Sequence, residues 1–593
     1  MKKRLLASLL VLCMVLALGL TACSGTTAQT TTTPAADDEA TTTTAAAEDG
    51  DETTAAAEGG EETTAADAEA PATWENLSWE KDTSPVTLSC YIDWDWWAWD
   101  DWGTDATTQK VTELTGVSLE VTKGSDPQVL SVQLAAQELN DIVFMDNLPQ
   151  RFEDPDVCYA WDELIPEYCP EFWDLVDPLE KINNQAADGH VYTFKTHYGD
   201  ERNYQDENSI GNYANWTVSY RADITEKLGI ATPFTSVEAI EEALYKVKDN
   251  AADLGITMVL NPHPSWTYAI EQWMGAKGTY WDDETKSIKN VWTDEATYEY
   301  YKLLNKWYRD GIVTKDYLGV RPEDFFARDK SGEVFATMYN SGYGYTINDS
   351  WRETGFGGKI DDLTKPVFEM VNEIPTYKGE NRTVVADNGT GWASTFITKN
   401  CSEPGRAICF MEFMKSPEGD KLSQLGIEGY TYTMVDGKVQ WTEEKLNADA
   451  DKAKAMHKTC YFQGSNWCEG LSWAVVNTKD EWSKAESEKG NARRLLYKNI
   501  ARENKNPAMS FARVESADDE MAAYTKISDQ WNICKAAMVT AESEAACEQV
   551  YADFQQYAKD NGYDAVMAKM TERYVENLKR YQAAGYFTDI ITE

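Results

Sequence analysis

The sequence predicts an α/β protein of two lobes, each an open sheet flanked by helices. Three observations carry this. Strand-like and helix-like periods alternate in the order β-α-β-α-β between Pro85 and Met145. The same alternation resumes after residue 215. Beyond an N-terminal leader and a low-complexity stretch, about 520 residues remain, more than one hydrophobic core usually serves.

Val86, Leu88, Cys90 and Ile92 alternate with Thr87, Ser89 and Tyr91, which is the period of a strand. Asp105 to Thr115 reads as a helix ended by Gly116. Val117, Leu119 and Val121 alternate again. Pro127 opens a helix with Leu130 and Leu134 on one face, and Asp141 to Met145 is a short apolar strand. This order favours a largely parallel sheet covered by helices.

In the second half, Trp216 to Tyr220 is a strand. Thr235 to Glu238 fits a capping box ahead of Ile240, Leu244 and Val247. Ile256 to Leu260 is another strand. A helix starting near Thr293 carries Tyr300, Leu303, Leu304 and Trp307 as one stripe and stops at Gly311. Val334 to Tyr339 and Thr395 to Thr398 are further strands. Ser402 and Pro404 open a helix with Ile408, Met411 and Met414, and the chain is mostly helical from about Asp480 onward.

The N-terminus sets the compartment. Met1-Lys2-Lys3-Arg4 followed by an apolar run from Leu5 to Leu20 is a secretory signal. The junction Leu20-Thr21-Ala22-Cys23 resembles a bacterial lipobox, so cleavage is expected after residue 22, with acyl chains on Cys23. Two or three chains anchor a protein stably where one does not. Residues 23–73 are an acidic Thr/Ala-rich stretch without Lys, Arg or an aromatic before Trp74, and are expected to form a disordered tether. The net charge of −46 opposes binding to nucleic acid or to anionic lipid. Of eleven cysteines, Cys13 leaves with the leader and Cys23 is lipidated, leaving nine, an odd number. Cys158–Cys169 and Cys460–Cys468 are candidate local bridges, but spacing leaves the connectivity open.

Residues 91–102, YIDWDWWAWDDW, hold five tryptophans interleaved with aspartates, directly after the first strand. In open α/β sheets a ligand lies outside the carboxyl ends of strands. Aromatic faces stack on the apolar faces of sugars, while carboxylates bond to the hydroxyl edge. Trp94, Asp95, Trp96, Trp97 and Trp99 are therefore candidate ligand residues, and Trp102, beside Gly103, is assigned to packing. Core packing is the competing reading for each of the others. Asp146 follows the third strand and joins the candidates. So do Trp266, Tyr343, Tyr345, Trp392 and Trp467, each in a loop after a strand or beside glycine, and Arg221. The scattered histidines show no ligand spacing, so no metal, no cofactor and no catalytic residue is assigned.

Five further segments carry a resemblance. Trp161-Asp-Glu-Leu-Ile165, Ala187-Asp-Gly-His-Val-Tyr192, Tyr220 to Ile230 with Pro233, Tyr301 to Gly311 and Lys330 to Ala336 follow one another in a known order. With the lipobox, they resemble the extracellular solute-binding lipoproteins of bacterial ABC importers, of the family 1, sugar-binding type. One departure is Tyr192, followed by Thr-Phe-Lys where that group usually has a proline shortly afterwards. The resemblance implies a two-lobed periplasmic-binding-protein-like fold with a ligand cleft between the lobes. It implies boundaries of 74–217 for the first lobe, 218–390 for the second, 391–440 for a return segment, and 441–593 for a helical part packed on the second lobe. It further implies a monomer on the outer face of the membrane, held by its lipid alone. Such a protein passes an oligosaccharide to a permease and is not an enzyme. A peptide or polyamine ligand on the same fold, and a secreted glycoside hydrolase, are the alternatives.

Overall fold

The computed structural model describes residues 76–592, apart from residues 96, 99, 100, 125, 147, 148, 197, 199–215, 264–270, 272, 277, 341–346, 349, 353–366, 372–390, 459–474, 504, 505 and 516. The expected leader, Cys23 and the expected acidic tether lie outside the described residues. The strands, in chain order, are β1 (Val86–Ile92), β2 (Val117–Lys123), β3 (Ile142–Met145), β4 (Trp216–Arg221), β5 (Met258–Pro262), β6 (Tyr280–Asp282), β7 (Ser287–Lys289), β8 (Val334–Asn340), β9 (Phe368–Met370), β10 (Ser394–Ile397), β11 (Tyr432–Val435) and β12 (Lys438–Trp441).

Among the described residues they form two four-stranded sheets and two hairpins, β6-β7 and β11-β12. The first sheet has the order β10-β3-β1-β2, with β1 parallel to both β2 and β3. β10 runs antiparallel to β3, pairing Ser394 with Met145. The second sheet has the order β5-β8-β4-β9, with β5 parallel to β8 and β4 antiparallel to both of its neighbours. Both sheets are thus mixed, where the alternation of strands and helices predicts largely parallel ones. Parallel pairing follows from a helical crossover between two strands of one sheet. β10 follows the whole second sheet in the chain, so no such crossover sets its direction.

Local chemistry explains the ends of the helices. Asp105 accepts from the backbone N–H groups of Thr107 and Thr108 and caps the helix Ala106–Thr115, which Gly116 ends in the left-handed region. Pro127 takes the first position of Pro127–Ala136, where its missing N–H costs nothing. The helix Val237–Asp249 is capped by Ser236, which accepts from the Ala239 N–H, one residue later than the capping box from Thr235 predicts. In Glu295–Asp310, Tyr300, Leu304 and Trp307 are buried and Leu303 is partly so.

The first sheet is covered by the helices Trp161–Tyr168 and Pro404–Lys415, whose Ile408, Met411 and Met414 are buried in its core. The second sheet shares a core with the C-terminal helices Met521–Thr540, Glu544–Asp560 and Tyr563–Ala583. The helix Ala450–Met456 instead packs on Ala106–Thr115, and Lys458 donates to Thr104 Oγ1 at 3.3 Å. The stretch just after residue 441 therefore lies with the first sheet, where the sequence reading expects it beside the second. The short helix Pro178–Asn183 touches both sides. Glu180 forms an ion pair of 2.8 Å with Lys415, both side chains fully buried. Leu179 belongs to the second core, and Asn183 accepts from the Tyr581 hydroxyl at 2.7 Å.

Cys158 and Cys169 are both free and buried, in different hydrophobic clusters, so the local bridge between them is not formed. Cys460 and Cys468 lie outside the described residues.

A tryptophan-lined candidate ligand site

Three chain segments converge on one edge of the first sheet. β1 and β3 run in the same direction and end side by side, so Asp93 to Asp95, Trp97 and Asp146 emerge together. β10 is antiparallel to β3, so the residue before it, Ala393, and its neighbour Trp392 arrive at the same edge. The loop after β1 folds back across the strand ends. Asp93 N–H donates to the Phe144 carbonyl at 3.0 Å, and the Lys123 ammonium, at the end of β2, donates to the Trp97 carbonyl at 2.6 Å.

The result is an aromatic cluster. Trp94 and Trp97 each stand edge-to-face on Phe144, with ring centroids 5.0 and 5.1 Å away. Trp392 lies 4.6 Å from Trp94 and 6.3 Å from Trp97, both at tilted angles. Such pairs contribute about 0.5–1.5 kcal/mol each beyond the area they bury. Trp94 and Trp97 are 8% and 6% exposed, whereas Trp392 is half-buried. Its indole Nε1 donates to Asp146 Oδ2 at 2.7 Å, fixing the ring plane against an exposed carboxylate.

Gly391 makes this approach possible. Its φ is +86°, and a Cβ there would fall 2.5 Å from the Thr196 carbonyl oxygen and 2.6 Å from Lys195 Cβ. Trp392 N–H donates to the Thr196 carbonyl at 2.8 Å, and Ala393 N–H to the Thr196 hydroxyl at 3.2 Å. The segment Lys195–Thr196 thus positions Trp392 from behind.

Of the residues singled out from the sequence, Trp94, Asp95, Trp97, Asp146 and Trp392 are brought to this edge, with Asp95 exposed. Trp96, Trp99, Trp266, Tyr343, Tyr345 and Trp467 lie outside the described residues. Trp102 packs on Phe410 and donates from Nε1 to Thr112 Oγ1 at 2.9 Å, as its assignment to packing expects. Arg221 is elsewhere. It sits at the end of β4 that faces the start of β8, away from the carboxyl ends of β5 and β8. Its guanidinium is buried, bonding to Asp223 at 2.9 and 2.6 Å and to the Gly332 carbonyl at 2.9 Å. Phe144 and Thr196, which build the site from below and behind, escape a reading of the sequence. One is an apolar residue in an apolar strand, and the other's role depends on a contact with a residue almost 200 positions away.

The three histidines among the described residues are held by protein neighbours, and His197 lies outside those residues. His263, at the end of β5, is buried against Phe325 and Tyr339, and loss of hydration pushes it down to about 4. Burial likewise pushes His457 down to about 3, with Lys445 adding to the effect. His190, partly exposed, is raised by its 3.0 Å bond with Asp162. Among the described residues no cluster of His, Cys, Asp and Glu has the makings of a metal site.

The two mixed sheets and their flanking helices define an α/β protein of two lobes. No protein-family model and no curated protein sequence matches the chain. Solved structures do match it in fold. The alginate-binding protein AlgQ2 is 16% identical with a TM-score of 0.58, covering 83% of this chain and 98% of that one. The ABC-transporter substrate binding protein FusA of Streptococcus pneumoniae, in complex with kestose, is 14% identical with a TM-score of 0.57, covering 84% and 100%. The N-glycan transport solute binding protein NgtS of the same organism is 16% identical with a TM-score of 0.55, covering 84% and 99%. At these identities the likeness shows the fold. Among the described residues, no helix is long and apolar enough to cross a membrane.

Proposed function

We propose that this chain is the substrate-binding component of an ABC importer, capturing an oligosaccharide between its two lobes and delivering it to the permease. The observation that carries this reading is the half-buried Trp392, held by Asp146 and backed by Trp94 and Trp97 at the carboxyl ends of β1 and β3. A sugar ring stacks on the exposed part of such an indole, while Asp95 and Asp146 accept from its hydroxyls. That three structures of the same fold are described as handling alginate, kestose or N-glycan supports the ligand class. Trp96, Trp99, Trp266, Tyr343, Tyr345 and Trp467 complete the cleft in this reading, and Arg221 serves the second lobe's structure. Cys23 carries the lipid that holds the monomeric protein at the outer face of the membrane. The lobes close by rotation about the crossings near residues 217 and 390 and about the helix Pro178–Asn183. The protein binds and releases its sugar without chemical change.

Titration calorimetry against neutral and acidic oligosaccharides, peptides and polyamines tests this. Binding of an oligosaccharide without turnover supports it. Binding confined to peptides or polyamines overturns the ligand class, because tryptophan with aspartate also suits a cation. Hydrolysis of a glycan overturns the role.

A further inference from the structure

Two free thiols meet between the helices Trp161–Tyr168 and Pro404–Lys415, a place with no part in the ligand site. Cys169 caps the first helix and is wholly buried, and Cys409 lies in the middle of the second and is half-buried. Cys409 Sγ donates to the carbonyl oxygen of Tyr168, the residue just before Cys169, at 3.7 Å, which brings its sulfur beside the Cys169 thiol. One turn earlier on the same face, a Cβ on Gly405 would fall 2.5 Å from the Tyr168 ring, so the helix backbone presses directly on this corner. Both sulfurs border one hydrophobic cluster.

We propose that Cys169 and Cys409 are a redox-active pair that closes to a disulfide and clamps the two helices of the first lobe. The oxidant is an external disulfide. The thiolate of Cys409, the more accessible sulfur, attacks one of its sulfur atoms, forming a mixed disulfide and expelling one thiolate. Cys169 then gives its proton to water and attacks Cys409 Sγ, releasing the second thiolate. Two protein thiols are oxidised and the external disulfide is reduced to two thiols. The neighbouring Cys409 thiol and burial both push the Cys169 thiol up, so the second step is the slower one. The bridge would close a long loop that contains all four strands of the second sheet, the kind that most restricts an unfolded chain.

The experiment uses the purified protein and oxidised glutathione. The expected result is loss of two hydrogens from the intact mass and a proteolytic peptide joining Cys169 to Cys409. The Tm should rise by a few degrees and return on adding dithiothreitol. Cys409→Ser should abolish the cross-linked peptide. Should that variant fail to fold, alkylation of the wild type decides, since both residues should become protected together after oxidation. Glutathione remaining on Cys409, continued alkylation of both residues, or a cross-link mapped to another pair would overturn the proposal.

Discussion

Asp146 and Trp392 are 246 positions apart, and the carboxylate of one holds the indole of the other at 2.7 Å. The bond crosses from the end of β3 to the entrance of β10. If Trp392 is the stacking platform, Trp392→Ala should weaken oligosaccharide binding by tenfold or more, about 1.4 kcal/mol per decade. Asp146→Asn keeps the shape but removes the charge, and should cost about three- to tenfold. Calorimetry on the two variants checks both figures. Affinity unchanged in Trp392→Ala would remove this ring from the site.

Trp94 and Trp97 should behave differently. Each packs on Phe144 and is nearly closed off from solvent. Replacing either with alanine leaves a large cavity and should cost about 3–5 kcal/mol of stability. Denaturant unfolding is the measurement, with Trp392→Ala alongside as the half-buried reference. Equal and small losses in all three would mean that the cluster relaxes freely.

The Lys415–Glu180 pair is wholly buried. Lys415→Met strands a carboxylate and should cost about 3–5 kcal/mol, whereas Lys415→Met with Glu180→Leu should recover most of the loss. A double-mutant cycle in urea separates the two. Because Glu180 shares its helix with Asn183, the partner of Tyr581, the single variant should also change the rate of ligand-induced closure in stopped-flow fluorescence.

Stability should depend on pH from two opposite directions. His263 and His457 are pushed down to about 4 and about 3 by burial. An unfolded histidine takes its proton near pH 6.5, so their contribution is full above that value and is lost as pH falls towards 4 and 3. Glu412, whose carboxylate accepts from the Trp79 N–H at 2.7 Å, is pushed up to about 7 by burial. Its contribution is full below pH 4.5 and is lost as pH rises through 7. Glu412→Gln should therefore gain on the wild type from pH 5 to pH 8. Urea midpoints across pH 4–8 for wild type, Glu412→Gln and His457→Gln give the test. A wild-type midpoint that climbs steadily from pH 5 to pH 8, unaltered in Glu412→Gln, would contradict it.

What the residues determined alone was local. The two-residue period of β1, the cap at Asp105, the stop at Gly116 and the stripe Tyr300–Leu304–Trp307 depend on neighbours within a turn or a strand, and these elements form where the pattern predicts. That the segments after β1 and β3 leave the sheet at one edge was also legible, since a strand's exit follows from its direction. Tertiary structure decided what period cannot encode. It made β10 antiparallel and thereby carried Trp392 to Asp146. It placed Ala450–Met456 on the first lobe, and it used Arg221 for Asp223 and Gly332. It also buried Trp94 and Trp97 while leaving Trp392 half-open. In a run of five tryptophans every ring has the same affinity for a core and for a sugar, so only the space left by distant segments determines which of them faces water.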